Sequence, residues 1–129
     1  MRNLVKKIPI VSLFIGLLGF GGTAFANSFS CKGTVEVFGI HSTNSVFLRL
    51  SSMSVLVKVC DLEAEAGTSY RVTPEQCKVI YSTLLTAYAM GEVLDINFDN
   101  VGEAANCSSF TAWQLATARN VFLDRSLNN

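Results

Sequence analysis

The first 26 residues have the pattern of a bacterial secretory signal peptide, and they restrict the folded part of the chain to the residues after position 26. Three basic residues near the N-terminus precede an apolar stretch over residues 10–20, and the triplet Ala24-Phe25-Ala26 has the small-x-small form of a cleavage site. We therefore predict an exported protein, periplasmic or secreted, whose mature chain begins near Asn27. Removing 26 residues from a chain of 129 leaves 103, which is enough for one small domain over residues 27–129.

The charge of the mature chain differs from that of the whole sequence. Three of the ten basic residues leave with residues 1–26 and all ten acidic residues stay, so the net charge changes from 0 to −3. Seven scattered cations do not form the basic patch that a phosphate backbone needs, which argues against a nucleic-acid partner. Beyond residue 26 no stretch approaches the roughly 20 apolar residues of a membrane-spanning helix. We predict no membrane span after removal of the signal, and no cofactor.

All four cysteines lie in the mature part of the chain. An even number of cysteines in a small exported domain is typical of disulfide bonds, and four cysteines allow three pairings. The alternative, a metal site, lacks the C-x-x-C spacing common among zinc ligands. We favour Cys60 with Cys77, which would join a strand end to a helix start. The second pair is then Cys31 with Cys107, which would tie the first strand to the late part of the chain.

Three strands are predicted at the start of the mature chain. Residues 31–40 are rich in β-forming side chains, residues 46–50 alternate between two faces, and residues 53–60 carry three valines on one face. A polar turn over residues 41–45 and a Ser-Ser turn separate these segments. The pattern indicates a three-stranded meander.

A helix is predicted to follow the third strand. Thr73 and Gln76 form a capping box around Pro74 at the first helical position, and Gly91 supplies the C-terminal stop. Apolar residues recur between these ends at helical spacing. The predicted core face consists of Cys77, Ile80, Tyr81, Leu84, Leu85 and Tyr88.

Two further strands are predicted after the helix. Residues 93–98 alternate apolar with polar side chains, residues 99–109 have the composition of a surface loop, and the last strand runs from about residue 111 to 122, ahead of a frayed tail at 127–129. Three strands, a helix and two strands is the element order of the OB-fold. We therefore predict a mainly β domain, an OB-fold-like five-stranded barrel with its one helix between strands 3 and 4.

The segment over residues 81–98, in which a helix passes through Ala-x-x-x-Gly directly into a strand, resembles small exported bacterial proteins similar to the B subunits of subtilase-type AB toxins. The signal peptide, the Cys60-to-Cys77 spacing, Cys107 and a final strand ending near Phe122 support the resemblance. It implies an OB-fold barrel, assembly into a homo-oligomeric ring (a pentamer if toxin-like), and shallow glycan sites on the subunit surface. No sugar-binding motif matches residue by residue, so the resemblance assigns no binding residue.

Two stretches are candidates for ligand binding. Trp113, with Phe110 beside it, offers aromatic faces that stack on sugars and anchor protein interfaces, and packing in the barrel core is the alternative. Ser42, Thr43 and Asn44 offer hydroxyl and amide groups at a predicted loop tip, where they also suit an ordinary turn.

No constellation of residues indicates catalysis. His41, the only histidine, lies in a polar turn with no catalytic partner near it in the sequence. Asp95, Asn97 and Asp99 faintly resemble a calcium loop, but the glycine is misplaced and strand alternation explains them. We predict a non-enzymatic binding module for a glycan or protein receptor, like a toxin B subunit. The alternative is a stand-alone periplasmic protein with a protein-binding or envelope role.

Overall fold

The computed structural model describes residues 27–127. The predicted signal peptide and its cleavage site lie outside these described residues, as do residues 128 and 129 of the predicted tail.

Five strands and one long helix make up the fold. All strand pairs are antiparallel, in the order β3-β2-β1-β4-β5, so that β1 lies at the centre of one sheet. The prediction of a mainly β domain with one helix between the third and fourth strands is confirmed. The elements are β1 (Phe29–Ile40), β2 (Ser45–Leu50), β3 (Val57–Asp61), α1 (Pro74–Met90), β4 (Val93–Asp99) and β5 (Thr117–Leu123), with a short 3₁₀ turn at Arg125–Leu127.

The core is built from the alternating residues of the inner strands. One face of β2 and one face of β4 are fully buried. The side chains that alternate with these along each strand are only partly buried. Removing this apolar surface from water is the main driving force for folding. The buried residues of these two strands are Val46, Leu48, Leu50, Leu94, Ile96 and Phe98.

Both ends of α1 have the predicted caps. The Thr73 hydroxyl accepts from the Gln76 backbone N–H at 3.2 Å, the Gln76 side chain accepts from the Thr73 backbone N–H at 2.9 Å, and Gly91 has a left-handed φ of 65°. No helix in residues 27–127 is long and apolar enough to cross a membrane.

The buried side of α1 is narrower than predicted. Its fully buried residues are Cys77, Leu84 and Ala87. Leu85 and Tyr88, both predicted to face the core, are about half-exposed. The buried line of the helix passes through Leu84 and Ala87, so Leu85 faces solvent. The Tyr88 ring packs on Phe38 at the protein surface, with 5.3 Å between ring centroids.

Two predicted strand boundaries are wrong. Residues 53–56 are an irregular segment before β3, and residues 111–116 lie ahead of β5. The second segment runs beside β3 instead, where Lys58 donates its backbone N–H to Gln114 and accepts from Ala116, both at 2.8 Å. The sheet is not closed: β3 and β5 are its outer strands, and this parallel bridge at Lys58 joins β3 to the segment that precedes β5.

Two disulfides join distant parts of the chain to the sheet. Cys31 bonds to Cys107 with 5.7 Å between Cα atoms, and Cys60 bonds to Cys77 with 5.5 Å. The prediction of disulfide bonds is confirmed, with the pairing that the sequence favours. The first bond anchors the long β4–β5 connection to β1, and the second anchors the start of α1 to the end of β3.

Candidate functional site

A shallow groove opens where the β1–β2 turn meets the segment that precedes β5. Its volume is about 190 Å³, close to the size of a single small ring or side chain. Aromatic and aliphatic side chains line it, and no Lys, Arg, Asp or Glu is among them. The lining residues are Val37, Phe38, Gly39, Ile40, His41, Phe47, Leu56 and Trp113.

Trp113 is the most exposed aromatic residue of this groove. Its side chain is 59 % exposed, and its backbone has a φ of 67°, in the left-handed region that a bulky residue rarely adopts. The Trp113 backbone N–H donates to the Leu56 carbonyl at 2.8 Å, which holds this conformation. Rare backbone conformations maintained by their surroundings cluster at functional sites, so the exposed ring is a candidate for ligand contact.

Phe47 and His41 complete an aromatic cluster with Trp113. The Phe47 and Trp113 ring centroids are 4.9 Å apart at an interplanar angle of 70°, an edge-to-face contact. The His41 ring lies 6.1 Å from Phe47 and 6.4 Å from Trp113. The cluster therefore presents an apolar platform with one polar ring at its side.

A chain of hydrogen-bonding groups connects His41 to the sheet. Nδ1 of His41 lies 3.1 Å from the Thr43 hydroxyl, which lies 3.1 Å from the Ser45 hydroxyl, and Ser45 donates to Asp61 at 3.5 Å. Ser45 and Asp61 are both buried. The turn that carries His41 is thus connected to the end of β3 through side chains as well as through the backbone.

Asp61 anchors this chain of groups as a buried carboxylate. Its Oδ1 accepts backbone N–H groups from Glu63 at 2.9 Å and Ala64 at 3.0 Å, and its Oδ2 accepts from Lys58 Nζ at 3.2 Å. The Glu63 N–H is the main cause that lowers the pKa of Asp61 below its ordinary value, and Lys58 adds to it against the effect of burial. Asp61 is therefore ionised at neutral pH and holds the turn in place.

Four of the five predicted ligand-binding residues lie in or beside the groove. Trp113 lies in the groove, and Ser42, Thr43 and Asn44 lie in the β1–β2 turn that borders it. The Thr43 hydroxyl is hydrogen-bonded to His41. Asn44, with a φ of 63°, donates its backbone N–H to the His41 carbonyl and accepts from the Leu62 N–H, both at 2.9 Å. These two residues therefore support the turn, and Ser42 is exposed at its tip.

Phe110 is buried and does not line the groove. It is only 6 % exposed and packs against Phe29 and Phe98, with ring centroids 5.4 and 5.6 Å away. Trp113, three residues later, has the opposite placement. The alternative of core packing thus holds for Phe110 and fails for Trp113.

Sequence reasoning misses two aromatic partners of Trp113. Phe47 alternates with the core residues of β2 and so points outward, and an outward phenylalanine is a signal that could identify it. His41 has the sequence pattern of an ordinary turn residue because its neighbours in space come from another part of the chain.

A second groove of about 230 Å³ lies between α1 and β5. The charged residue of its lining is Arg119, which stacks over the Tyr70 ring at 4.8 Å and contacts both carboxylate oxygens of the buried Asp99, at 2.7 and 3.2 Å. Since this guanidinium is already neutralised, the second groove has less to offer a ligand than the Trp113 groove.

Residues 27–127 contain no group of three or more His, Cys, Asp or Glu side chains that could hold a metal ion. Comparison of the chain with protein-family models, with curated proteins and with solved structures gave no match.

Proposed function

We propose that this protein is a non-enzymatic binding module that recognises a glycan through the Trp113 groove. The observation that carries the proposal is the exposed Trp113 ring, held in a rare backbone conformation against Phe47. Aromatic faces stack on the C–H faces of sugar rings, and the hydroxyls of the neighbouring turn suit sugar hydroxyls. The groove lining has no thiol and no carboxylate, so it lacks the side chains of cysteine-nucleophile and carboxylate-pair mechanisms.

The position of the groove supports a finer interpretation of the fold as a partly open OB-fold barrel. The strand order, the helix between β3 and β4, and the parallel bridge from Lys58 to residues 114–116 are the connections expected when such a barrel closes. OB-folds bind oligosaccharides and oligonucleotides beside the loops that join strands 1 and 2 and strands 4 and 5. The Trp113 groove lies between these two connections, and the net charge of −3 after residue 26 favours the saccharide.

A protein receptor is the second candidate ligand. Ile40 and Val37 are exposed at the edge of the groove, and aliphatic side chains next to a tryptophan are typical of the centre of a protein interface. A protein partner would be expected to bury these two residues together with Trp113, whereas a sugar would stack mainly on the aromatic rings.

Export fits the same function. Two disulfides in a small domain are typical of proteins that work in an oxidising compartment, and a periplasmic or secreted location gives access to glycans. Assembly into a ring and the resemblance to toxin B subunits stay predictions, and the mass of the native protein in solution tests the ring.

A glycan array probed with purified, oxidised protein tests the proposed function. Trp113→Ala should weaken binding to any hit by about tenfold or more, as expected for loss of a central aromatic contact. Phe122→Ala is the matched control, because Phe122 is 60 % exposed, similar to Trp113, but lies on β5 outside the groove. Equal effects of the two substitutions would contradict the assignment of the site. Binding to a protein receptor that needs Ile40 and Val37, with no glycan bound, would favour the second candidate.

A further inference from the structure

We infer that the ligand of the Trp113 groove is an uncharged saccharide that stacks the apolar face of one ring on the aromatic cluster. This inference rests on the proposed function and narrows it to one chemical class. The groove, at about 190 Å³, is small enough that one ring fills it while the adjoining sugars remain in solvent.

The cations beside the groove are already matched by acids. Arg49 is the cross-strand partner of Val37, and its guanidinium lies 3.2 Å from Glu36. Lys58 is the cross-strand partner of Phe47, and its ammonium lies 3.2 Å from Asp61. Each of these two positive charges next to the groove thus has its own carboxylate, and the surface around the aromatic cluster is electrically balanced.

An anionic sugar would find no counter-charge here. Its carboxylate or sulfate would lose water against aliphatic side chains and against the negative faces of Trp113 and Phe47. It could bind a cation here only in competition with Glu36 for Arg49 or with Asp61 for Lys58. The second competition would take from the buried Asp61 carboxylate the only cation paired with it in residues 27–127, which is costly.

The polar group that the groove does provide suits a hydroxyl. His41 lies at the side of the aromatic cluster, and its Nδ1 is engaged by Thr43. The Thr43 backbone N–H, 3.4 Å away, can only donate, which favours the tautomer with the proton on Nε2. With Nδ1 accepting from Thr43, the Nε2–H group can donate a hydrogen bond to a sugar oxygen at the edge of a stacked ring.

Trp113 is the sole tryptophan of the chain, so its fluorescence reports on this groove without background. We would titrate the full protein with pairs of oligosaccharides, each pair consisting of a neutral oligosaccharide and the same molecule with one added sialic acid or sulfate. The neutral member should shift the emission and bind at least tenfold more tightly than its charged partner. Its affinity should change less than twofold between about 50 mM and about 500 mM salt, because no charge pair forms.

Glu36→Gln provides a charge test that leaves the groove lining intact. It frees Arg49 beside the groove, so the charged oligosaccharides should gain affinity by about threefold or more, while the neutral ones should not change. If the charged member of a pair binds as tightly as its neutral partner or more tightly in the wild-type protein, the inference is overturned and the proposed function stands. If no member of any pair perturbs Trp113 emission or binds at all, both are overturned.

Discussion

The two disulfides should contribute unequally to stability because they close loops of different length. Cys31 and Cys107 are separated by 76 residues, and Cys60 and Cys77 by 17. If a cross-link acts by restricting the unfolded chain, the longer loop contributes about 4.5 kcal/mol and the shorter about 3 kcal/mol at 25 °C. Removal of the longer cross-link should therefore lower the free energy of unfolding by about 1.3 kcal/mol more than removal of the shorter one.

Urea unfolding of two double variants, with both cysteines of one bond changed to alanine, measures this difference. Packing predicts the opposite rank: Cys60 and Cys77 are both fully buried, whereas Cys107 is partly exposed, so loss of the sulfur atoms alone would harm the 60–77 variant more. The slope of unfolding free energy against urea should also rise in each variant, because an unlinked unfolded chain exposes more surface. A 60–77 variant that is as unstable as the 31–107 variant, or less stable, would refute the chain-entropy reasoning.

Four further substitutions test local features of the fold. Gly67→Ala should lower the free energy of unfolding by more than about 2 kcal/mol, because its φ is 101° and a backbone carbonyl occupies the place of the new Cβ. Gly91→Ala, with a φ of 65° and open space around the new Cβ, should lower it by only about 1 kcal/mol, and equal costs in urea unfolding would contradict this. Asn100→Ala removes four hydrogen bonds accepted by Oδ1 and two donated by Nδ2. The free energy of unfolding from the melting curve should fall by about 2–3 kcal/mol, and a negligible change would show these bonds to be dispensable. Asp124 has a pKa lowered to about 2, first by the hydroxyl and then by the backbone N–H of Ser126, and Ser126→Ala should raise it in an NMR titration. A lowered carboxyl pKa stabilises the fold above the ordinary value of 3.8, and this contribution is lost as pH falls toward 2. The variant should therefore lose less stability over that range, and an unchanged pKa would exclude the Ser126 hydroxyl as its main cause.

The elements that could be predicted from the sequence are those whose signals are local. The ends of α1 are determined by Thr73, Gln76 and Gly91, and each of these residues acts within one helical turn of its own position. The disulfide pairing could be predicted because Cys60 lies at the end of a strand and Cys77 at the start of the helix. These features need no knowledge of the rest of the fold.

The wrong boundaries have a different origin. Residues 111–116 contain apolar side chains and look like the start of a strand. Their backbone instead hydrogen-bonds to Lys58, more than 50 residues earlier in the chain. Tertiary pairing of this kind overrides β-propensity. The exposed positions of Leu85 and Tyr88 have a similar cause, since the width of the buried helix face depends on what lies against it.

The candidate site could be predicted only in part for the same reason. Phe110 and Trp113 are both aromatic residues in one irregular segment, where no periodicity separates inside from outside. Their different placements arise from contacts made far away in the chain: Phe110 meets Phe29, and Trp113 is held at a positive φ by Leu56. The Ser42 turn is recognisable as a turn from its composition, but its association with Trp113 is not.

Lys58 of β3 does not line the groove but supports it in three ways. Its backbone groups hold residues 114 and 116 next to Trp113, and its cross-strand partner is Phe47. Its ammonium bonds to Asp61, the anchor of the His41 turn. A substitution that keeps the backbone, such as Lys58→Met, removes only the third support. The His41 turn should then loosen while the contact between Trp113 and Phe47 persists, so that groups on the turn lose affinity for a ligand and the aromatic platform retains it. A preorganised site of this kind spends little of its binding free energy on ordering its own side chains, because the sheet has already positioned them.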